Sequence, residues 1–78
     1  MSIREVLALN LRKRRHELGL SQEELADRAE LDRTYISAIE RSVYAASVDV
    51  LERLARELGV APSDMLKAPA NRRSARKA

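Results

Sequence analysis

The stretch Gly19 to Arg41, G-L-S-Q-E-E-L-A-D-R-A-E-L-D-R-T-Y-I-S-A-I-E-R, decides the fold. Ser21-Gln22-Glu23-Glu24 is a capping box: the Ser21 hydroxyl closes a helix start and Glu24 reaches back from three residues on. Leu25, Ala26 and Ala29 then recur at the spacing of one helix face, and the pattern stops near Ala29 or Glu30. Glu30, Leu31 and Asp32 form a tight joint, and Asp32 can cap the next helix, Arg33 to about Arg41. That helix has only two large apolar positions, Ile36 and Ile39, with Leu31 closing the turn. Arg33, Thr34, Ser37, Ala38 and Arg41 are left on the opposite face, which is small and polar with an arginine at each end.

Working outward, an N-terminal helix is expected from Ile3 to Leu18, with Leu7, Leu11 and Leu18 on its apolar stripe and Gly19 as its left-handed stop. On the C-terminal side, Ser42 to Ala46 reads as loop. Ser47 caps a fourth helix, Val48 to about Leu58, whose inward positions are Val48, Leu51, Leu54, Ala55 and Leu58, and Gly59 ends it. Pro62 suits the first position of a short fifth helix through Met65 and Leu66. The expected fold is therefore all-α, a compact five-helix domain over residues 1–66. Residues 67–78, without a large apolar side chain, form a basic tail expected to be disordered alone.

Composition narrows the function. The chain has 78 residues, a length for one small domain. No cysteine and a single histidine, His16, leave no thiolate site and no histidine cluster for a metal, and no cofactor is expected. No nucleophile–base pair or glycine-rich phosphate loop is visible, so no enzyme activity and no catalytic residue are expected. No window approaches about 18 apolar residues, and no signal peptide is seen, so a cytoplasmic protein without a membrane partner is expected. The net charge of +3 is unevenly placed: residues 1–66 carry ten Lys/Arg against twelve Asp/Glu, whereas residues 67–78 carry five bases and no acid. An anion-binding face within the domain must come from local clustering. The run Arg12-Lys13-Arg14-Arg15 points all ways around a helix, and reads equally as solvated surface or as a partial phosphate contact.

Two short helices joined by a three-residue turn, the second with a polar outer face, make a helix-turn-helix arrangement. Ala26 must be small where the helices cross, and short outer side chains let the second helix enter a major groove about 12 Å wide. Leu11 to Arg41, with G-L-S-Q-E-E-L-A and I-S-A-I-E-R, together with Ser47 to Val60 (S-V-D-V-L-E-R-L-A-R-E-L-G-V), resembles the phage-repressor, Xre/Cro-like family over roughly residues 5–66. L-D-R-T-Y-I-S is similar to the controller proteins of restriction–modification systems.

The resemblance implies a sequence-specific transcriptional regulator that binds a palindromic operator in double-stranded DNA as a homodimer. It makes Gln22 a phosphate contact and Arg33 and Thr34 base readers, with Tyr35, Ser37 and Ala38 along the groove side or its margin, and Arg41 and the following loop at the backbone; within that loop, where the chain departs from the family, the Tyr44 hydroxyl can reach a phosphate. It also makes Arg15 and Glu40 a structural ion pair. The chain departs from the family at Ser42, where glycine is usual; at Ala45-Ala46-Ser47, where Asn-Pro-Ser is common; at Val43 and Tyr44, where controllers often place a basic residue; and at Glu30, where glycine or asparagine is preferred. The apolar set Leu51, Leu54, Leu58, Val60, Met65 and Leu66 either forms a dimer seam or closes the core. The tail either adds phosphate contacts or only aids solubility. Other readings are an antitoxin that also binds a toxin, and an interaction module that keeps the fold without binding DNA. No small-molecule effector is expected.

Overall fold

The computed structural model describes residues 1–68. Five helices follow one another: α1 (Ile3–Glu17), α2 (Gln22–Ala29), α3 (Arg33–Glu40), α4 (Val48–Leu58) and α5 (Pro62–Met65). There is no strand among the described residues. Most boundaries are set locally. α2 opens with the Ser21–Glu24 capping box, and α3 and α4 open on Asp32 and Ser47, whose side chains accept from the Thr34 and Val50 N–H groups. α1 has a capping box of its own, Ser2 with Glu5, two charged or polar residues whose spacing gives the signal. Gly19 and Gly59, both near φ +70°, end α1 and α4.

Leu11, Leu25, Ile36, Ile39, Leu54, Leu58 and Met65 form the fully buried centre, one or two residues from every helix. Two positions depart from the apolar pattern. Leu18, expected on the inward stripe of α1, is exposed, because the helix stops at Glu17 and the left-handed turn at Gly19 brings Leu20 into the core instead. Val48, expected inward, is 81% exposed: it shares the α4 stripe with Leu51 and Ala55 but overhangs the edge of the bundle.

The C-terminal apolar set is also reassigned. Leu51, Leu54, Leu58 and Met65 are buried in this chain's own core. Val60 packs half-buried against them, and only Leu66 of the six is exposed. A bundle of such short helices has few core positions per helix, so the last third of the chain must supply its full share.

The helix ends are tied together by α1. Asn10 donates its amide to the carbonyls of Met65 (2.8 Å) and Lys67 (2.9 Å) behind α5. Arg12 donates to the Glu40 carbonyl at the end of α3 (3.0 Å), and Arg14 Nε to the Leu58 carbonyl at the end of α4 (2.8 Å). The carbonyls of Glu40, Leu58 and Met65 end their helices and lack partners within them. The basic run is therefore mainly internal: Arg12, Arg14 and Arg15 have fixed partners, and Lys13 alone stands exposed without one among the described residues. Of the basic tail, Lys67 lies beside Asp64 (3.2 Å); residues 69–78 lie outside the described residues.

Candidate nucleic-acid interface

α2 and α3 are joined at Glu30, Leu31 and Asp32. Glu30 takes a left-handed backbone (φ 58°), and the Leu31 N–H donates to the Ala26 carbonyl (2.8 Å). The left-handed turn at a glutamate costs on the order of 1 kcal/mol. Ala26 is buried, small enough for the two helices to cross, and Ile36 is buried beneath the joint.

With about 100° between successive residues, Arg33, Ser37, Arg41, Thr34 and Ala38 form one continuous stripe on α3, opposite Ile36 and Ile39. Arg33, Thr34 and Arg41 are exposed, and Ser37 and Ala38 are half-buried. The Arg33 guanidinium makes no hydrogen bond or ion pair among the described residues, so it projects free from the first turn. Thr34 differs: its Oγ1 donates to Asp32 Oδ1 (2.8 Å), which also accepts the Thr34 N–H (3.0 Å). These two bonds, the backbone one first, hold the Asp32 carboxyl below its usual pKa. They engage the threonine hydroxyl, leaving the methyl as its part without a bonded partner.

Tyr35 stands apart from this stripe. It is half-buried against the core, and its ring meets Tyr44 edge to face, with centroids 5.4 Å apart and planes at 77°. The loop after α3 is strapped back by the Val43 and Tyr44 N–H groups, both donating to the Ala38 carbonyl (3.0 and 3.3 Å), and turns through Ser42 at φ 62°. Ser42 thus adopts the backbone for which the family uses glycine. The aromatic pair makes a rim beside the Ala38 edge of the stripe.

Gln22 behaves differently from the simple expectation. Its side-chain amide donates to Glu40 Oε1 (3.1 Å), so the side chain turns inward. What the start of α2 offers an anion is its first N–H groups, which have no carbonyl one turn back. Glu23 and Glu24 sit beside them and oppose that attraction.

Glu40 is the hub beneath this surface. Arg15 donates Nε to Oε2 (2.6 Å) and a terminal nitrogen to Oε1 (2.8 Å), and the same guanidinium donates to the Leu20 carbonyl (2.9 Å). Arg15 is 8% and Glu40 5% exposed. The pair expected from the resemblance is present and bidentate. Burial pushes the Glu40 pKa up, but the hydrogen bonds from Arg15 and Gln22 and the charges of Arg15 and Arg12 outweigh it, leaving it below the ordinary 4.5. Glu24, Asp32 and Asp64 are lowered as well, through bonds to Ser21, Thr34 and Lys67 respectively. A carboxylate whose pKa is lower folded than unfolded stabilises the fold above the unfolded value and loses that contribution as pH falls through the folded one. The midpoint of urea unfolding is thus expected to stay level from about pH 7 to 5 and to fall below about pH 4.5. A midpoint that rises between pH 5 and 3 would refute this account of the carboxylates.

No group of three His, Cys, Asp or Glu gathers in metal-binding proximity among the described residues. No helix there is long and apolar enough to cross a membrane.

This geometry has close counterparts. A curated relative, the Neisseria hypothetical transcription factor of Neisseria meningitidis serogroup B, is 46% identical over 70 residues; the match covers 90% of this chain, which spans 66% of that relative's length. The crystal structure of the hypothetical transcription factor NHTF from Neisseria superposes with a TM-score of 0.87 at 43% identity, covering 95% of this chain and 85% of that one. The restriction–modification controller protein C.Esp1396I, solved as a tetramer in complex with its natural 35-base-pair operator, has a TM-score of 0.75 at 34% identity, covering 83% of this chain and 86% of that one. The helix-turn-helix family HTH_3 matches residues 11–65, which takes in the capping box of α2, the left-handed joint, the exposed stripe of α3 and the core beneath them. Shared sequence and shared geometry agree, and this chain belongs to that helix-turn-helix family.

Proposed function

We propose that this chain is a sequence-specific, DNA-binding transcriptional regulator that reads a palindromic or pseudo-palindromic operator as a homodimer, with residues 33–41 in the major groove, and that it acts at the nucleoid. The observation that carries the reading is the exposed stripe on α3, headed by the unpaired Arg33, on a helix that the Arg15–Glu40 pair and Ile36 hold rigidly. An arginine at the start of a recognition helix can hold guanine O6 and N7 in a bidentate pair, and the Thr34 methyl can lie on a thymine methyl. Ser37 and Ala38 are short enough to let the helix approach. Arg41 and the Tyr44 hydroxyl stand where phosphates flank the groove, with the first N–H groups of α2, at Gln22, on the other side. Half-sites centred about 34–36 Å apart fit a two-fold dimer.

The test is fluorescence anisotropy in about 150 mM salt, comparing DNA from upstream of its own gene with a scrambled duplex. Preference for the upstream DNA by about a thousandfold is expected. Arg33→Ala is expected to lose about 1–3 kcal/mol and to relax selection at one base pair per half-site. Equal binding of both duplexes, with an affinity that collapses in salt, would overturn the reading.

A further inference from the structure

The loop after α3 leaves two large side chains in the open: Val43 and Tyr44 are each 57% exposed. The loop is nonetheless held in place. The Val43 and Tyr44 N–H groups share the Ala38 carbonyl, and the chain turns back over α3 through Ser42, whose left-handed backbone favours glycine. Tyr44 is thereby brought against Tyr35, edge to face, an arrangement that aromatic rings prefer. Tyr44 covers little of itself in this contact, so the main effect falls on Tyr35.

Tyr35 lies three positions before Ala38, about 60° round the helix from it, and so borders the reading stripe. Its side chain is half-buried against the core. Its hydroxyl makes no hydrogen bond among the described residues, and no polar side-chain atom there is both buried and unpartnered, so the hydroxyl reaches the surface. A free phenol has its side-chain rotations to order on binding; packing between the core and the Tyr44 ring orders them beforehand. What stands beside Ala38 is therefore a neutral hydrogen-bond donor kept in place, at an edge where the alanine side chain offers none. DNA presents acceptor oxygens along the wall of the groove, and tyrosine hydroxyls are among the groups that bind them.

We infer that Tyr44 is a positioning residue of the reading face: its ring holds Tyr35 so that the Tyr35 hydroxyl donates to an acceptor oxygen of DNA at the groove wall beside Ala38. This rests on the operator reading above. It adds a role for the Tyr44 ring, separate from any contact of the Tyr44 hydroxyl, and accounts for a loop strapped to the helix it follows.

The experiment is a double-mutant cycle on DNA affinity in the full chain, read by anisotropy with the upstream and scrambled duplexes. Tyr35→Phe removes only the hydroxyl, and is expected to weaken binding of the upstream duplex about 3- to 10-fold in the wild-type background. In a Tyr44→Phe background, which keeps the ring, the same loss is expected. In a Tyr44→Ala background, where the ring is gone, Tyr35→Phe is expected to cost less than about twofold. Tyr44 is exposed, so its replacement is expected to leave the urea midpoint nearly unchanged, which circular dichroism checks. A role in folding alone would lower that midpoint and leave the contribution of the Tyr35 hydroxyl the same in every background. Equal Tyr35→Phe losses with and without the Tyr44 ring overturn the inference, as does a Tyr35→Phe variant that binds as the wild type does. A loss that disappears already in Tyr44→Phe also overturns it, since the Tyr44 hydroxyl and not its ring would then hold Tyr35. A wild-type chain that prefers neither duplex overturns the operator reading, and the inference with it.

Discussion

Glu40→Ala is expected to remove about 3–5 kcal/mol of stability. Arg15 would keep its charge in a site that is 8% exposed, with only the Leu20 carbonyl to receive it. The Gln22 amide would lose its acceptor as well. Domains have roughly 0.05–0.15 kcal/mol of stability per residue, so a loss of this size takes a large fraction of the total. Urea titration followed by circular dichroism measures the loss directly. Arg15→Met combined with Glu40→Leu is expected to recover most of it, because replacing both partners leaves no stranded charge. A single substitution costing under about 1 kcal/mol would mean that water reaches the pair freely, contrary to its burial.

Ile36→Ala is expected to cost about 2–5 kcal/mol, against about 0.5–1.5 for Ile36→Val. Ile36 is fully buried, and with Ile39 it is one of only two fully buried apolar anchors on the eight residues of α3. The loss should be local as well as global. With one anchor gone, α3 is held by Ile39 and the Glu40 carboxylate, and its amides are expected to exchange faster than those of α4, where Leu54 and Leu58 remain. Hydrogen exchange read residue by residue checks this. Uniform acceleration across α3 and α4 would show that the helix pair opens only with the whole domain.

The elements were legible because their ends are written in short-range chemistry. Ser21 with Glu24, Asp32, Ser47, Pro62 and the two glycines each satisfy or terminate a backbone locally, and the helices begin and end beside them. Burial was less legible, since it depends on what lies across the bundle. Leu18 and Leu20 are equally apolar, and only the turn at Gly19 decides between them. Val48 fits the stripe of α4 but has no helix opposite. The candidate reading face followed from the turn and the two isoleucines, whereas the inward bond of Gln22 and the Tyr35–Tyr44 contact needed three-dimensional placement. The partners of the basic run were not legible for the same reason: a list of cations does not say which carbonyls lie within their reach.

Those carbonyl bonds bear on how the chain comes off the ribosome. Synthesis delivers the N-terminal end first, so Asn10, Arg12 and Arg14 emerge well before the acceptors they bind at residues 40, 58, 65 and 67. The Arg12 brace can form once residue 40 is out and the Arg14 brace once residue 58 is out, whereas the Asn10 brace waits for residues 65 and 67. No nascent fragment that ends before residue 67 holds the full set of braces, so α3 is tied to α1 first and the last helix is tied to it at the end.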